Sequence, residues 1–171
     1  MDTTALERLD SFPYRHRAGE LMTSPVVTID GGRSLAEAAQ LMADRRISSV
    51  VVLTDDQRLA GIMTERDILR VAAKGAGGLA APVSSTMTSP VHAIEADAPL
   101  YRAIARMSRL DVRHLPVVDD HGRPIGILTT SALLKQRATT ALSLGDEIAG
   151  AGPSVLFYGH YDVQPVDPLE L

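Results

Sequence analysis

No cysteine and no tryptophan occur in the 171 residues, and aromatic side chains amount to 4%. Without cysteine there is neither a disulfide framework nor thiolate chemistry. With so few aromatic rings, the core has to be built from Val, Ile, Leu, Ala and Met. Excess positive charge is missing too: the formal net charge is −4, which disfavours the basic face that nonspecific nucleic-acid binding needs. No apolar run approaches the roughly 18–20 residues that cross a bilayer, so no membrane span is expected. The stretch Met1 to Glu20 alternates charged and polar groups and lacks the apolar segment of a signal peptide. A reducing cytoplasm is the expected location. The length suits one domain or two very small ones, with enough chain to bury a core.

What the chain has instead is a repeat. Met22-Thr23-Ser24-Pro25-Val26 returns as Met87-Thr88-Ser89-Pro90-Val91, and Gly61-Ile62-x-Thr64 returns as Gly126-Ile127-x-Thr129. Leu35, Ala38 and Met42 return as Leu100, Ala103 and Met107. The offset is 65 residues throughout, with 16 identities in the 48 pairs from position 22 to 69. A duplicated unit directs attention to the seam between its copies.

Within each copy the same order is legible. Val26-Val27-Thr28 is a short β-rich run. Leu35, Ala38, Ala39 and Met42 share one helical face, and Ser34 with Glu37 has the spacing of a capping box. Val50 to Leu53 reads as a strand covered on both faces. Leu59 to Met63 is a second strand and Glu65 to Lys74 a second helix. In the second copy the strands are Val91 to Ile94, His114 to Val118 and Ile125 to Leu128. Its helices are Pro99 to Arg109 and Thr130 to about Leu142. The expected fold is α/β (α+β): two pseudo-symmetric β-α-β-β-α repeats packed sheet to sheet. Residues 1–20 read as a linker with a short helix from Thr4 to Asp10 and a solvated basic stretch, Arg15-His16-Arg17. The first repeat spans 21–75 and the second 86–142. Between them, 76–85 reads as a flexible Gly/Ala-rich linker, and 143–171 as a tail.

The motifs Leu21-Met22-Thr23-Ser24-Pro25-Val26, Gly61-Ile62-Met63-Thr64-Glu65-Arg66-Asp67, Arg113-His114-Leu115-Pro116-Val117-Val118 and Gly126-Ile127-Leu128-Thr129 resemble the CBS domain family in its tandem form, the Bateman module. The likeness covers about residues 20 to 140. It implies two units paired about a pseudo-twofold axis, with two clefts that bind an adenosine nucleotide or derivative, and no catalytic activity of their own. It also implies association into a homodimer and action on an attached or partner effector.

An ionised carboxylate can accept both hydroxyls of a ribose, through charge-assisted bonds. The resemblance assigns that role to Asp67, with Thr64 one turn earlier and Ile62 beside the base. Ala98, Ala103, Val112 and Arg113 of the other repeat would complete the cleft, and Arg113 and His114 would approach the phosphate. Arg45, Arg46 and Arg66 are further cationic candidates. The spacing Thr64-x-x-Asp67 is equally that of a helix N-cap, and the two roles are compatible. In the second repeat Ala132 stands where Asp67 would. The cleft of Thr129, with Ser34, Ala38, Ile47 and Ser48 opposite, therefore lacks a ribose anchor, and one good site is expected rather than two. AMP, ATP, a cyclic dinucleotide and S-adenosylmethionine share the adenosine and stay open as ligands. No metal and no other cofactor is expected.

The tail breaks the pattern. Val155 to Pro168, with Gly159-His160-Tyr161-Asp162-Val163-Gln164-Pro165 at its centre, resembles the first metal-binding segment of carnosinase-like zinc dipeptidases. His160 would be a zinc ligand there and Asp162 its orienting partner. A zinc site needs at least three protein ligands, so the segment reads as a fusion or truncation remnant. The alternatives to a nucleotide sensor are the regulatory part of a truncated zinc dipeptidase and a purely dimerising scaffold.

Overall fold

The computed structural model describes residues 11–149. A helical turn over 11–15, α1, is followed by α2 (Ala18–Leu21). The first repeat then runs β1 (Thr28–Asp30), α3 (Leu35–Arg45), β2 (Ser49–Leu53), β3 (Leu59–Thr64) and α4 (Glu65–Ala72). The second runs β4 (Ile94–Glu95), α5 (Leu100–Leu110), β5 (His114–Val118), β6 (Pro124–Thr129) and α6 (Thr130–Ala149). Each repeat forms a three-stranded sheet whose first and second strands are parallel and whose second and third are antiparallel. The β-α-β-β-α order and the mixed α/β class expected from the sequence are observed. Among the described residues no helix is long and apolar enough to cross a membrane.

The central strand of each sheet explains the layering. Val50 and Val52 point into a core with Leu35, Ala38 and Met42 of α3. Val51, on the opposite face, joins Ile62 and Ile127 in a cluster between the two sheets. Leu115 and Val117 do for the second repeat what Val50 and Val52 do for the first, against Leu100, Ala103 and Met107. The two repeats therefore pack sheet to sheet through a small aliphatic layer. Ser34 caps α3 as its spacing predicts: its Oγ accepts from the Glu37 N–H at 3.2 Å, and Glu37 accepts from the Ser34 N–H at 2.8 Å.

The first strand of each repeat begins later than expected, and the second repeat's is shorter. The cause of the shortening lies in β5. Thr28 pairs with Val51, and the Val51 N–H donates to the Val27 carbonyl at 3.0 Å. The equivalent of Val51 is Pro116, which has no N–H to give. Pairing of β4 with β5 accordingly starts one residue on, at Ile94 with Val117.

Two stretches read as linkers are parts of the fold. Residues 76–85 contain two 3₁₀ helices, Ala76–Ala80 and Val83–Ser85, and Val83 is fully buried in the first repeat's core. Ser84 and Val83 donate to the carbonyls of Gly31 and Arg33, and Leu35 donates to Ala81. At the repeat offset, the same bonds recur against the second repeat. Gly19 and Ala18 donate to Ala96 and Ala98, and Leu100 donates to His16, at 2.8–2.9 Å. Phe12 and Ala18 are buried there, and the Arg17 guanidinium donates to the Asp97 carbonyl. Each repeat's leader thus docks on the other repeat. The helix expected over Thr4 to Asp10 lies outside the described residues.

Candidate functional site

The repeated motifs meet one another at the seam. Thr23 and Ile127 exchange both backbone hydrogen bonds, at 2.9 and 3.1 Å, and Thr88 and Ile62 do the same at 2.9 and 3.2 Å. Ser24 Oγ donates to the Ile125 carbonyl and Ser89 Oγ to that of Ala60. The Met-Thr-Ser-Pro segment of each repeat is therefore an added strand-like edge on the last strand of the other. Glycine is needed where it passes. A Cβ on Gly126 would lie 2.2 Å from Met22 Sδ, and one on Gly61 would lie 2.7 Å from Met87 Sδ and 2.8 Å from the Thr88 carbonyl oxygen.

Beyond Ile62 and Ile127 the last strands turn directly into helices, and there the two halves diverge. Asp67 is 7% exposed. Its carboxylate accepts from the Thr64 N–H at 3.0 Å and from Thr64 Oγ1 at 2.6 Å. The Arg70 guanidinium, largely exposed, donates to the other oxygen at 3.1 Å. Thr64 and Asp67 are thus brought together as the spacing requires, in a helix-start arrangement closed by Arg70. The involvement of Arg70, three residues on along α4, was available from helical spacing. In the second repeat Thr129 Oγ1 instead accepts from the Ala132 N–H at 3.1 Å and lies 3.2 Å from Ser131 Oγ.

A cleft of about 220 Å³ opens on this second side. The Thr23–Val27 stretch, with Thr23, Pro25, Val26 and Val27, forms one wall, and Arg46, Ile47 and Ser48, between α3 and β2, with Ser49 at the start of β2, form another. His114, Ile127, Thr129 and Ser131 of the second repeat complete it. A hydrogen bond of 2.9 Å joins Ser48 Oγ and His114 Nε2 across the seam. Burial keeps the His114 ring below its ordinary pKa; the neighbouring Arg113 lowers it further and Glu65 opposes both.

Ile62 is buried in the layer between the sheets, and Ala98 and Ala103 are buried in the second repeat's core. Val112 is half-buried against that core and Arg113 is exposed. Arg45, Arg46 and Arg66 are exposed. His114 and Ile47 with Ser48 line the open cleft, whereas Ala38 is buried in the first core. The leaders escaped the sequence reading, because His16-Arg17-Ala18-Gly19 and Ala81-Pro82-Val83-Ser84 share no identity at the 65-residue offset. No group of metal-ligating side chains occurs among the described residues. His160 and Asp162 lie outside them.

Known proteins share this architecture. The family model described as the CBS domain matches residues 18–74 and again 83–138. An uncharacterised protein of Methanopyrus kandleri, MK0525, is 30% identical over 131 residues, covering 76% of this chain and 67% of that one. The CBS-domain-containing protein ATU1752 of Agrobacterium tumefaciens superposes with a TM-score of 0.65 at 32% identity, over 71% of this chain and 99% of its own. The CBS domain pair of protein MJ0100, solved with 5′-methylthioadenosine and S-adenosyl-L-methionine, shares the fold at a TM-score of 0.67. Its identity is 24%, over 72% of this chain and 97% of that one.

Proposed function

The chain belongs to the CBS domain family as a tandem pair, and from that premise we propose that it is a regulatory module that senses an adenosine-type nucleotide between its repeats. The observation that carries the reading is Asp67, a carboxylate buried in the first turn of α4 with the Thr64 hydroxyl on one of its oxygens. A ribose diol needs two acceptor positions, and an ionised carboxylate offers them with charge-assisted strength. Its other oxygen is held by Arg70, whose exposed side chain is free to leave. In the proposed site Ile62, Thr64 and Asp67 hold the nucleoside from the first repeat. Val112 and Arg113 face it from the second, with Ala98 and Ala103 as the packed residues of that unit. Arg113 is the cation nearest in sequence to this wall for a phosphate. The family resemblance also assigns His114 to that phosphate, but its ring lines the other cleft.

The ligand class follows from shared chemistry: AMP, ATP and S-adenosylmethionine all present the same diol. The fold-level likeness to MJ0100, which holds two such compounds, is consistent with this. Output to an attached or partner effector would be a population shift, in which ligand favours one placement of the repeats or of two protomers.

Calorimetric titration with AMP, ATP, cyclic di-AMP and S-adenosylmethionine tests the proposal, on the native chain and on Asp67→Ala. Saturable binding that weakens strongly in the variant is the expected outcome. Losing two charge-assisted bonds of about 1.5–3 kcal/mol each predicts at least about a hundredfold weaker binding. An absence of heat with every ligand, with melting temperatures unmoved, would overturn the reading and leave an assembly role.

A further inference from the structure

The open cleft beside Thr129 differs in chemistry from its partner, and the difference has a direction. Among the described residues that line it there is no Asp or Glu. It has one arginine, one histidine and five hydroxyl side chains: Thr23, Ser48, Ser49, Thr129 and Ser131. At the 65-residue offset, the counterpart of Arg46 is Asp111, and the counterparts of Ser48 and Ser131 are Arg113 and Arg66. The partner side, with Asp67 and its ion-pair partner Arg70 added, therefore holds three arginines and two aspartates; what sets the Thr129 side apart is the lack of a carboxylate in its lining. On the Thr129 side, Arg46 has no acid among the lining residues to balance it; Glu65, just outside the lining, acts on His114.

The hydroxyls point the same way. Thr64 Oγ1 donates to Asp67, so its proton is committed. Thr129 Oγ1 accepts from the Ala132 N–H, which leaves its proton for a ligand or for Ser131. Ser48 sits within hydrogen-bond distance of His114 and is exposed. The twenty-residue helix α6 starts at this wall, and its dipole adds positive potential. A cleft of hydroxyl donors, an imidazole and a guanidinium, without a carboxylate to hold a diol by charge-assisted bonds, suits an anion.

We propose that the Thr129-side cleft is an anion site that takes a phosphate or polyphosphate group and places no demand on a ribose. The two clefts have then divided the chemistry of a nucleotide: one recognises the diol, the other the phosphate. The proposal stands apart from the ribose assignment at Asp67, and either can fail without the other. The phosphate can arrive free or as the tail of a nucleotide, and the two sources are separable.

The test is a titration of the full chain with sodium pyrophosphate at constant ionic strength, followed by amide NMR, with adenosine and ATP as the other arms. Saturable shifts at Ser48, Ser49, His114, Thr129 and Ser131 with pyrophosphate, and none there with adenosine, are expected. ATP shifting the same amides shows that a nucleotide tail also enters; ATP leaving them unmoved while pyrophosphate binds identifies the free anion as the ligand. Arg46→Asn removes the charge with a residue that tolerates the left-handed backbone found there (φ 53°). It should weaken pyrophosphate at least tenfold. Ala132→Asp recreates the first repeat's Thr-x-x-Asp helix start, so the chain should fold, and it should weaken pyrophosphate by a similar factor. No saturable response to pyrophosphate, or one that neither Arg46→Asn nor Ala132→Asp weakens, would overturn the proposal. So would adenosine alone moving the Thr129-side amides.

Discussion

One methyl group added at Gly126 tests whether the seam is as close as the geometry says. The new Cβ would meet Met22 at 2.2 Å from Sδ, 2.6 Å from Cγ and 3.0 Å from Cβ. None of these is tolerable without movement, so Gly126→Ala should cost about 1–3 kcal/mol, the usual range for overpacking. In a chain of this size that corresponds to a melting temperature lower by roughly 2–4 °C per kcal/mol. Met22→Ala alone loses packing from a half-buried side chain, and should cost less than the roughly 2–5 kcal/mol of a fully buried methionine. Combined, the two should be less harmful than their sum, because Met22→Ala withdraws the Sδ and Cγ that the new methyl strikes. A favourable coupling of about 0.5–3 kcal/mol is expected for neighbours in contact. The pseudo-symmetric pair supplies the control. At Gly61 a Cβ also lies 2.8 Å from the backbone oxygen of Thr88, which itself accepts from Ile62. Met87→Ala cannot remove that atom, so Gly61→Ala should stay costly and the coupling should be smaller. Urea unfolding of both double-mutant cycles measures all of this. Additive costs at Gly126 and Met22, or equal coupling in the two cycles, would refute the reasoning.

Three further outcomes are expected. Because burial holds His114 below about 6.5 in the folded chain, the unfolded chain takes up that proton first as pH falls. Its contribution is complete above about 6.5 and declines below it, so urea stability measured at pH 7.5 and 5.5 should fall less in His114→Gln than in the native chain. Equal falls would count against it. Ser34→Ala removes the α3 cap and should cost about 0.5–2 kcal/mol, read as a shifted urea midpoint with unchanged slope. Finally, chains cut between Ala80 and Ala81 should each be unfolded alone and recover native circular dichroism when mixed, since each piece carries the leader that the other requires; a piece folding alone would contradict the exchange.

The repeat order, the α3 cap and the apolar faces were legible because they are written in side chains. Val50, Val51 and Val52 announce a strand covered on both sides, and Ser34 with Glu37 announces a helix start. The docking of residues 16–19 and 81–84 was hidden because backbone bonds common to both leaders leave no trace in residue identity, and the side chains buried with them, Ala18 and Val83, differ between the repeats. The shortness of β4 was written in Pro116, but only the pairing partner of Val51 reveals what the missing N–H costs. At the candidate site, the sequence placed Thr64 beside Asp67 correctly and noticed Ala132. It read that alanine as a loss. The open cleft on that side, with Arg46 and His114 on its walls, depends on how the two sheets face each other across the seam. No local spacing encodes that arrangement.

The exchange of leaders also bears on descent. A lone repeat of this design would carry an opening segment shaped for a neighbour, leaving its own Ala96, Ala98 and Leu100 counterparts without their backbone partners. Such a polypeptide would have had to work as two identical molecules, each completing the other. Joining two such copies in one chain would make the arrangement permanent and release the halves from identity. From that point a substitution such as Ala132 could enter one cleft and leave the other untouched, which a symmetric pair of identical chains could never do.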